Sequence, residues 1–540
     1  MMHDSQYLQH RELRAPRESG TALVDPPFDE VGGVLAANRT LRSDYCYDFH
    51  GRCLSRLAVE ARKETLAEAR AWTASYRDVD AAPIDPAAPL LMAGHQPQLF
   101  HPGVWFKNLA LDRLAREHRA VGVNLVVDND TLKTAWLRVP GGSADRPQLA
   151  AMAMDQSGPQ VPYEERAILD REMFAYFGRR VARQIEPLVG HPMIGDFWPM
   201  VVARMKATGN LGECLAEARH QWEGRWGAST LEVPLSRLCR TGSFRWFLAH
   251  LLVELPRLRE VYNRVVGEYR RVHGIRSTAH PMPDLAQQGD WLEAPFWIWT
   301  REDPRRRHLF ARGDPQGIVL SDRRGLEATL PLVPDGDLER AVQRLDELER
   351  QGIKIRSRAL ITTLWSRLVV GDLFLHGIGG AKYDQVTDAL LAGFFGLEPA
   401  RFLVLSATLH LPIPHPSTTA DDLRLVEHRL RELDWHPELY LEPFVGGQPP
   451  PEELVAAKRA WINTPRTSEN VGRRYHEFRR LNEALQPYVE SNRRRLLEER
   501  ERVGQSLRSE SILSSREYAF CLFPEDELRN FFSRLLPKNG

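Results

Sequence analysis

Three clusters in this 540-residue chain have the residue types and spacing to do chemistry. The first, in "GHQPQLFHPGVWFK", gathers Gly94, His95, Gln96, His101, Gly103 and Lys107. Imidazole, amide and amine groups can donate hydrogen bonds to a phosphate, and the glycines let the backbone approach where a side chain would obstruct it. The second, in "VVDNDTLK", sets Asp128 and Asp130 around Asn129, with Lys133 just beyond. Two carboxylates after a strand can hold magnesium through oxygen ligands or hydrogen-bond a ribose or amine. An Asp and Asn turn that bonds only its own backbone is the simpler alternative. The third, "HGIGGAKYDQ", brings His376, Gly377, Gly379, Gly380, Lys382, Tyr383 and Asp384 together. Unhindered amides followed by a lysine and a helix start read as a second anion or nucleotide turn, or as a purely steric link from strand to helix.

Other chemistry finds less support. There is no G-x-x-x-x-G-K-[ST], no G-x-G-x-x-G and no G-x-S-x-G, so neither a known phosphate loop nor a serine nucleophile elbow is expected. The five cysteines, Cys46, Cys53, Cys214, Cys239 and Cys521, lie outside the three clusters and form no C-x-x-C pair. They read as reduced thiols rather than nucleophiles or a disulfide framework. His376, His410 and His415 have no recognised zinc spacing, and nothing points to zinc or haem.

The elements that must position these clusters follow from periodicity. "LLMAG" predicts a buried strand, and "WFKNLALDRLAREH" a helix with Phe106, Leu109, Ala110 and Leu114 on one stripe. "VGVNLVVDND" then opens with the near-continuous apolar run of a strand covered on both faces. Strand, loop, helix, strand is a parallel βαβ unit. It recurs with a strand ending at His376, a glycine turn, a helix from about Tyr383 to Phe395 and a strand at Phe402 to Leu409. Two such units far apart in the chain imply one doubly wound domain split by an insertion; two small separate domains are the alternative.

The expected fold is therefore α/β: a split Rossmann-like parallel sheet, an inserted mixed α+β region and a long helical coiled-coil arm. The expected boundaries are an N-terminal helical segment at 1–84, core halves at 85–150 and 356–417, the inserted region at 151–355, the arm at 418–510 and a C-terminal segment at 511–540 that packs on the core. The arm rests on Tyr475, Phe478, Leu481, Leu485, Tyr488, Leu496 and Leu497, spaced within heavy charge as long helices require.

Bulk properties narrow the partners. The 72 basic and 72 acidic side chains cancel, and 43% hydrophobic with 27% charged residues is ordinary for a globular chain; nothing global favours nucleic acid or a membrane surface. The N-terminus lacks an apolar signal segment, and no stretch approaches a membrane span. A cytoplasmic location and a small-molecule substrate are expected.

With those pieces assembled, the chain resembles the family of the cysteine-adding enzyme of bacillithiol biosynthesis. The resemblance is carried by overall length, by Gly94, Gln96, Leu99, Phe100 and Gly103, by Asp128 and Asp130 after the next strand, by Gly379 and Gly380, and by the closing "SREYAFCLFPEDELRNFFSRLL". It runs from about residue 85 to the end. The chain departs where the family has a histidine and this sequence has Asn129, where a glutamate is replaced by Lys133, and where Pro-Gly-Glu is replaced by Ala381, Lys382 and Tyr383.

The resemblance implies a Rossmann-like nucleotide-binding core with a coiled-coil arm, and an enzyme that joins an amino acid or amine to an acceptor. ATP or another nucleotide with magnesium is then the expected cofactor; the long arm, read from its own helical pattern, offers a surface for a homodimer. In such a reaction His95, Gln96 and His101, with the Gly379 and Gly380 amides, neutralise charge on phosphate. Asp128 and Asp130 hold a metal or orient the amine, and Lys382 is an electrostatic clamp. Gly94, Gly103, Lys107, His376, Gly377 and Tyr383 complete the nucleotide site. A non-catalytic binding or assembly protein and a sugar-nucleotide transferase are the rival expectations.

Overall fold

The structure, a computed structural model, describes residues 4–9, 13–80, 84–85, 87–280, 282–332, 338–414, 418–443, 445 and 449–537. His415 lies outside them. The chain divides into two compact units. One comprises Met1–Val139, Ala150–Leu411 and Arg516–Gly540; the other comprises Pro140–Leu149 and Pro412–Ser515.

In chain order the strands are β1 (Thr21–Asp25), β2 (Leu90–His95), β3 (Val121–Val126), β4 (Trp136–Gly142), β5 (Pro147–Ala153), β6 (Leu231–Pro234) and β7 (Gln287–Gln288). They continue with β8 (Trp291–Thr300), β9 (Arg307–Asp314), β10 (Gly317–Ser321), β11 (Glu327–Leu330), β12 (Ile353–Ser357), β13 (Leu373–His376) and β14 (Leu403–Thr408).

Among the described residues the first unit holds a six-stranded sheet in the order β1-β14-β13-β2-β3-β6. The run from β14 to β6 is parallel, and β1 pairs antiparallel with β14. The inner strands are almost fully buried: Leu90, Leu91, Met92 and Ala93 on β2, Leu373 to His376 on β13, Leu403 to Thr408 on β14. That burial is why they read as apolar runs rather than alternating patterns.

Two sheet members come from segments expected to do something else. β1 lies in the segment expected to be helical. Its five residues are all half-buried, and its pairing of Thr21 to Asp25 with Thr408 to Val404 makes it the sheet's edge, a partnership that so short a segment does not reveal. β6 comes from the region expected as an insertion, yet its Leu231 and Val233 extend the sheet beside β3.

A second, antiparallel sheet runs β11-β10-β9-β8-β12, with β7 paired to β8. The tryptophan-rich segment forms its β8–β9 hairpin, and the register shifts between Ala294 and Trp297. Such a shift re-aims side chains.

The helix after β2 spans Pro102–Glu117, starting with proline at its first turn where no amide donor is needed. The helix after β13 spans Ile378–Leu390, not the expected Tyr383 onward. Gly379 and Gly380 are thus not a turn but the first turn of the helix, capped by Gly377. Low glycine helix propensity suggests a turn, whereas this start is imposed by β13 and by burial of Ala381, Asp384 and Val386.

In the second unit, Ala420–Trp435 packs with Glu490–Leu513, and Glu452–Asn463 with Val471–Leu485. Thr419 and Asp422 form a capping box at the first of these, satisfying two otherwise orphaned donors. The apolar spacing is only partly used: Leu481 and Leu485 are buried, while Tyr475 and Leu497 are exposed. The buried centre is polar, with Lys458 paired to Glu438 and donating to Asn482.

Candidate functional site

Residues 90–126 build β2 and then β3 on one side; residues 373–408 build β13 and then β14 on the other. The two crossovers leave the β2–β13 pair in opposite directions. That is a topological switch point, where a crevice opens beyond the carboxyl ends of parallel strands.

A cleft of about 950 Å³ lies there. Gly94, His95, Gln96, His101, Gly103, Lys107 and Asp130 line it from the β2–β3 side. His376, Gly377, Gly379, Gly380, Lys382 and Tyr383 line it from the β13 side. The two glycine segments, distant in sequence, therefore share one cavity.

Hydrogen bonding fixes what each side chain can offer. His95 Nδ1 lies 3.0 Å from the Gln96 carbonyl oxygen. A carbonyl only accepts, so Nδ1 carries the proton and Nε2 presents a lone pair. Burial, aided by Lys107, pushes the His95 pKa down to about 3. It is neutral at pH 7 and accepts rather than donates, which reverses its expected role toward phosphate. His101 is the cap of the helix Pro102–Glu117: its Nδ1 accepts from the Gly103 amide at 3.1 Å. Its Nε2–H then faces Glu517, 4.0 Å away. Lys107 Nζ donates to the Gly94 carbonyl; burial first, and Arg219 second, bring its pKa down to about 7.

The second cluster separates. Asp130 faces the cleft, accepting from Gln96 Nε2 at 3.0 Å and pairing with Arg306 at 3.0 Å. Asp128 does not line it. Its carboxylate takes the Ser236 amide at 2.9 Å and the Ser236 hydroxyl, across to the segment that follows β6. Burial, then the nearby Glu164, raise its pKa to about 7. Asp128 is a cap that ties two strand ends together, and its side chain is too enclosed to hold a metal or amine in this cleft. Lys133 also lies outside the lining.

In the third cluster His376 Nε2 is 2.7 Å from Asp384 Oδ2. Arg367 contacts the same oxygen at 2.7 Å and reaches Asp388 at 2.7 Å. Burial works to raise the Asp384 carboxyl, but Arg367 and His376 outweigh it and hold it well below the usual carboxylate range. Phe374 and Phe402 flank the imidazole, with ring centroids 4.5 and 5.1 Å away. Gly377 and Gly379 line the cavity with nothing within 4 Å of a Cβ position, so no neighbouring atom crowds the backbone there. Lys382 and Tyr383 are exposed at its rim.

The sequence clusters omit a third wall. Trp297 of β8 is flanked by two guanidinium groups, Arg306 at 4.7 Å and Arg358 at 4.5 Å from its ring centroid. Tyr262 and Leu360 line the cleft beside them. Arg14 and Arg516 add cations from the two ends of the chain. The available signal was "FWIWTREDPRRR", an arginine run directly after a tryptophan-rich strand. Arg358 is already paired with the buried Glu293 at 2.6 Å, but Arg14, Lys107, Arg306, Lys382 and Arg516 still outnumber Asp130, Asp384 and Glu517 in this lining, so the cleft favours an anion.

Of the two carboxylates expected to hold magnesium, Asp130 alone lines the cleft, and both its oxygens already have partners. Elsewhere His220, Glu223 and Glu232 are close enough together to surround a metal ion. Arg219 sits among them, 2.7 Å from Glu223 and 2.5 Å from Glu232. This buried guanidinium supplies the positive charge that a cation would bring, making the group a structural network. Neither a protein-family model nor a curated protein matches the chain.

Proposed function

We propose that this chain is a ligase-like enzyme that binds a nucleotide or another phosphorylated small molecule and joins an amino acid or amine to an acceptor. The reaction class comes from the resemblance to the cysteine-adding enzymes of bacillithiol biosynthesis. The observation that carries the binding half is the convergence of Gly94–Gly103 and Gly377–Gly380 on one cation-rich cleft at the β2–β13 switch point. On this proposal the sheet is a Rossmann-like core, and residues 418–510 are a coiled-coil arm through which two copies pair.

Phosphate binds at the start of the helix Ile378–Leu390, where the first amides have no acceptor within the helix and the dipole is positive. Lys382, one turn in, adds charge. His101 Nε2–H and the Lys107 amine are donors on the opposite side. Trp297, with Tyr262, offers an aromatic wall to a base or an apolar substituent. The Arg306 and Arg358 guanidinium groups, each with one acidic partner, Asp130 and Glu293, have further N–H donors for a ligand carboxylate. If bound, magnesium would neutralise phosphate charge.

Calorimetric titration of the full chain with ATP and magnesium tests this. We expect saturable binding to the natural sequence, loss in Gly379→Asp, whose carboxylate points into the anion subsite, and weakening in Lys382→Ala. Absence of binding by ATP, ADP and AMP, or equal binding in both variants, rejects the nucleotide assignment.

A further inference from the structure

Of the lysines and arginines lining the cleft, Lys107 alone is buried, with 3% of its surface exposed. Its Nζ donates to the Gly94 carbonyl near the end of β2. Among the described residues no carboxylate pairs with it.

The charged groups around Lys107 do not supply that partner. Arg219 is the charge that acts on it, and the acids beside Arg219, Glu223 and Glu232, are bonded to that guanidinium at 2.7 and 2.5 Å. Lys107 in turn acts on His95 of one wall and His376 of the other, both held below the ordinary histidine pKa by burial. Asp384 is committed to Arg367 and His376. An ammonium enclosed without a counter-charge sheds its proton more readily than one in water. Burial, then Arg219, bring Lys107 to a pKa of about 7, so about half of the free molecules hold a neutral amine at pH 7 and about nine in ten at pH 8.

We infer that Lys107 couples anion binding in this cleft to proton uptake: an entering anion supplies the missing counter-charge, and its binding draws a proton from bulk water onto the Nζ lone pair. This rests on the anion-binding half of the function proposed above. The cavity already offers Arg14, Arg306, Lys382 and Arg516 to attract the anion, and Lys107 becomes a further cation only once it arrives. A bound anion raises the Lys107 pKa. Affinity is therefore full below about pH 7, where the amine is already charged, and falls above it by up to about tenfold per pH unit.

The test is calorimetric titration of the full chain with sulfate and, separately, with ATP and magnesium. Working at pH 8 keeps both ligands fully ionised, and two buffers of different ionisation enthalpy count the protons. We expect about one proton taken up per anion bound, and an affinity roughly five- to tenfold lower at pH 9 than at pH 8. Lys107→Met should bind more weakly with neither the uptake nor the pH dependence. Lys107→Arg, charged throughout this range, should bind the anion without taking up a proton. Thermal melting of each variant shows that it is folded. Proton uptake with sulfate but no binding of ATP upholds the inference and rejects only the nucleotide. ATP binding without proton uptake overturns the inference and leaves the nucleotide site standing. Uptake that persists in folded Lys107→Met also overturns it, and binding of neither anion rejects both readings.

Discussion

Gly103 lies so close to Ala407 that a Cβ built on it would sit 2.0 Å from the Ala407 carbonyl oxygen. The contact joins the helix after β2 to β14, so one missing side chain sets how the cleft's first loop meets the sheet. Backbone cannot yield as a flexible side chain can. Gly103→Ala is therefore expected to destabilise the chain by about 1–3 kcal/mol or more through overpacking, read as a lower midpoint in denaturant unfolding. Gly379→Ala, with open space at its Cβ position, should stay near the natural stability.

Asp128 should prove structural. Its pKa is raised to about 7, so between the unfolded value and pH 7 the native state binds a proton that the unfolded chain does not. Its contribution to stability is then full below about pH 4 and lost as pH rises through about 7, at roughly 1.4 kcal/mol per pKa unit. Asp128→Asn should flatten this slope in unfolding free energy and leave ATP binding unchanged. Asp128→Ala should cost about 1–3 kcal/mol by stranding the Ser236 amide. A loss of ligand affinity in folded Asp128→Asn would return Asp128 to the site.

Asp130 pairs with Arg306 inside the cleft, with 36% of its side chain exposed. Removing its charge in Asp130→Asn frees the guanidinium for an anion. Because a pair so exposed is worth under about 1 kcal/mol, ATP should bind more tightly by less than about fivefold. Weaker binding in magnesium, with none of that loss in its absence, would instead mark Asp130 as a metal ligand.

Lys458 in the second unit is fully buried beside Glu438, itself only 3% exposed. Lys458→Ala leaves that carboxylate buried without its partner, which typically costs about 3–5 kcal/mol. Circular dichroism melting should show early loss of the helices at 420–513. Replacing the pair together, Lys458→Met with Glu438→Leu, should recover most of it.

Several elements are legible from local pattern. The apolar runs at 90–95 and 121–126 and the helical stripe after Pro102 each depend on neighbours within a few residues. The helix at Ile378 is less legible, because glycine's low propensity argues against a helix that tertiary burial then imposes. β1 and β6 are shorter still, and their place in the sheet is set by strands far away in the chain.

The same division runs through the candidate site. Sequence by itself determined which side chains are available and where donors and glycines cluster, because composition and spacing are written locally. Tertiary structure alone decided that β13 pairs with β2, bringing both glycine segments to one cleft, and that Trp297, Arg306 and Arg358 form its third wall. It also decided which groups are occupied: His101 by a helix end, Asp128 by Ser236, His376 by Asp384. Those assignments depend on long-range packing and on burial, which shifts protonation and consumes hydrogen-bonding capacity, and neither is encoded in the spacing of a motif.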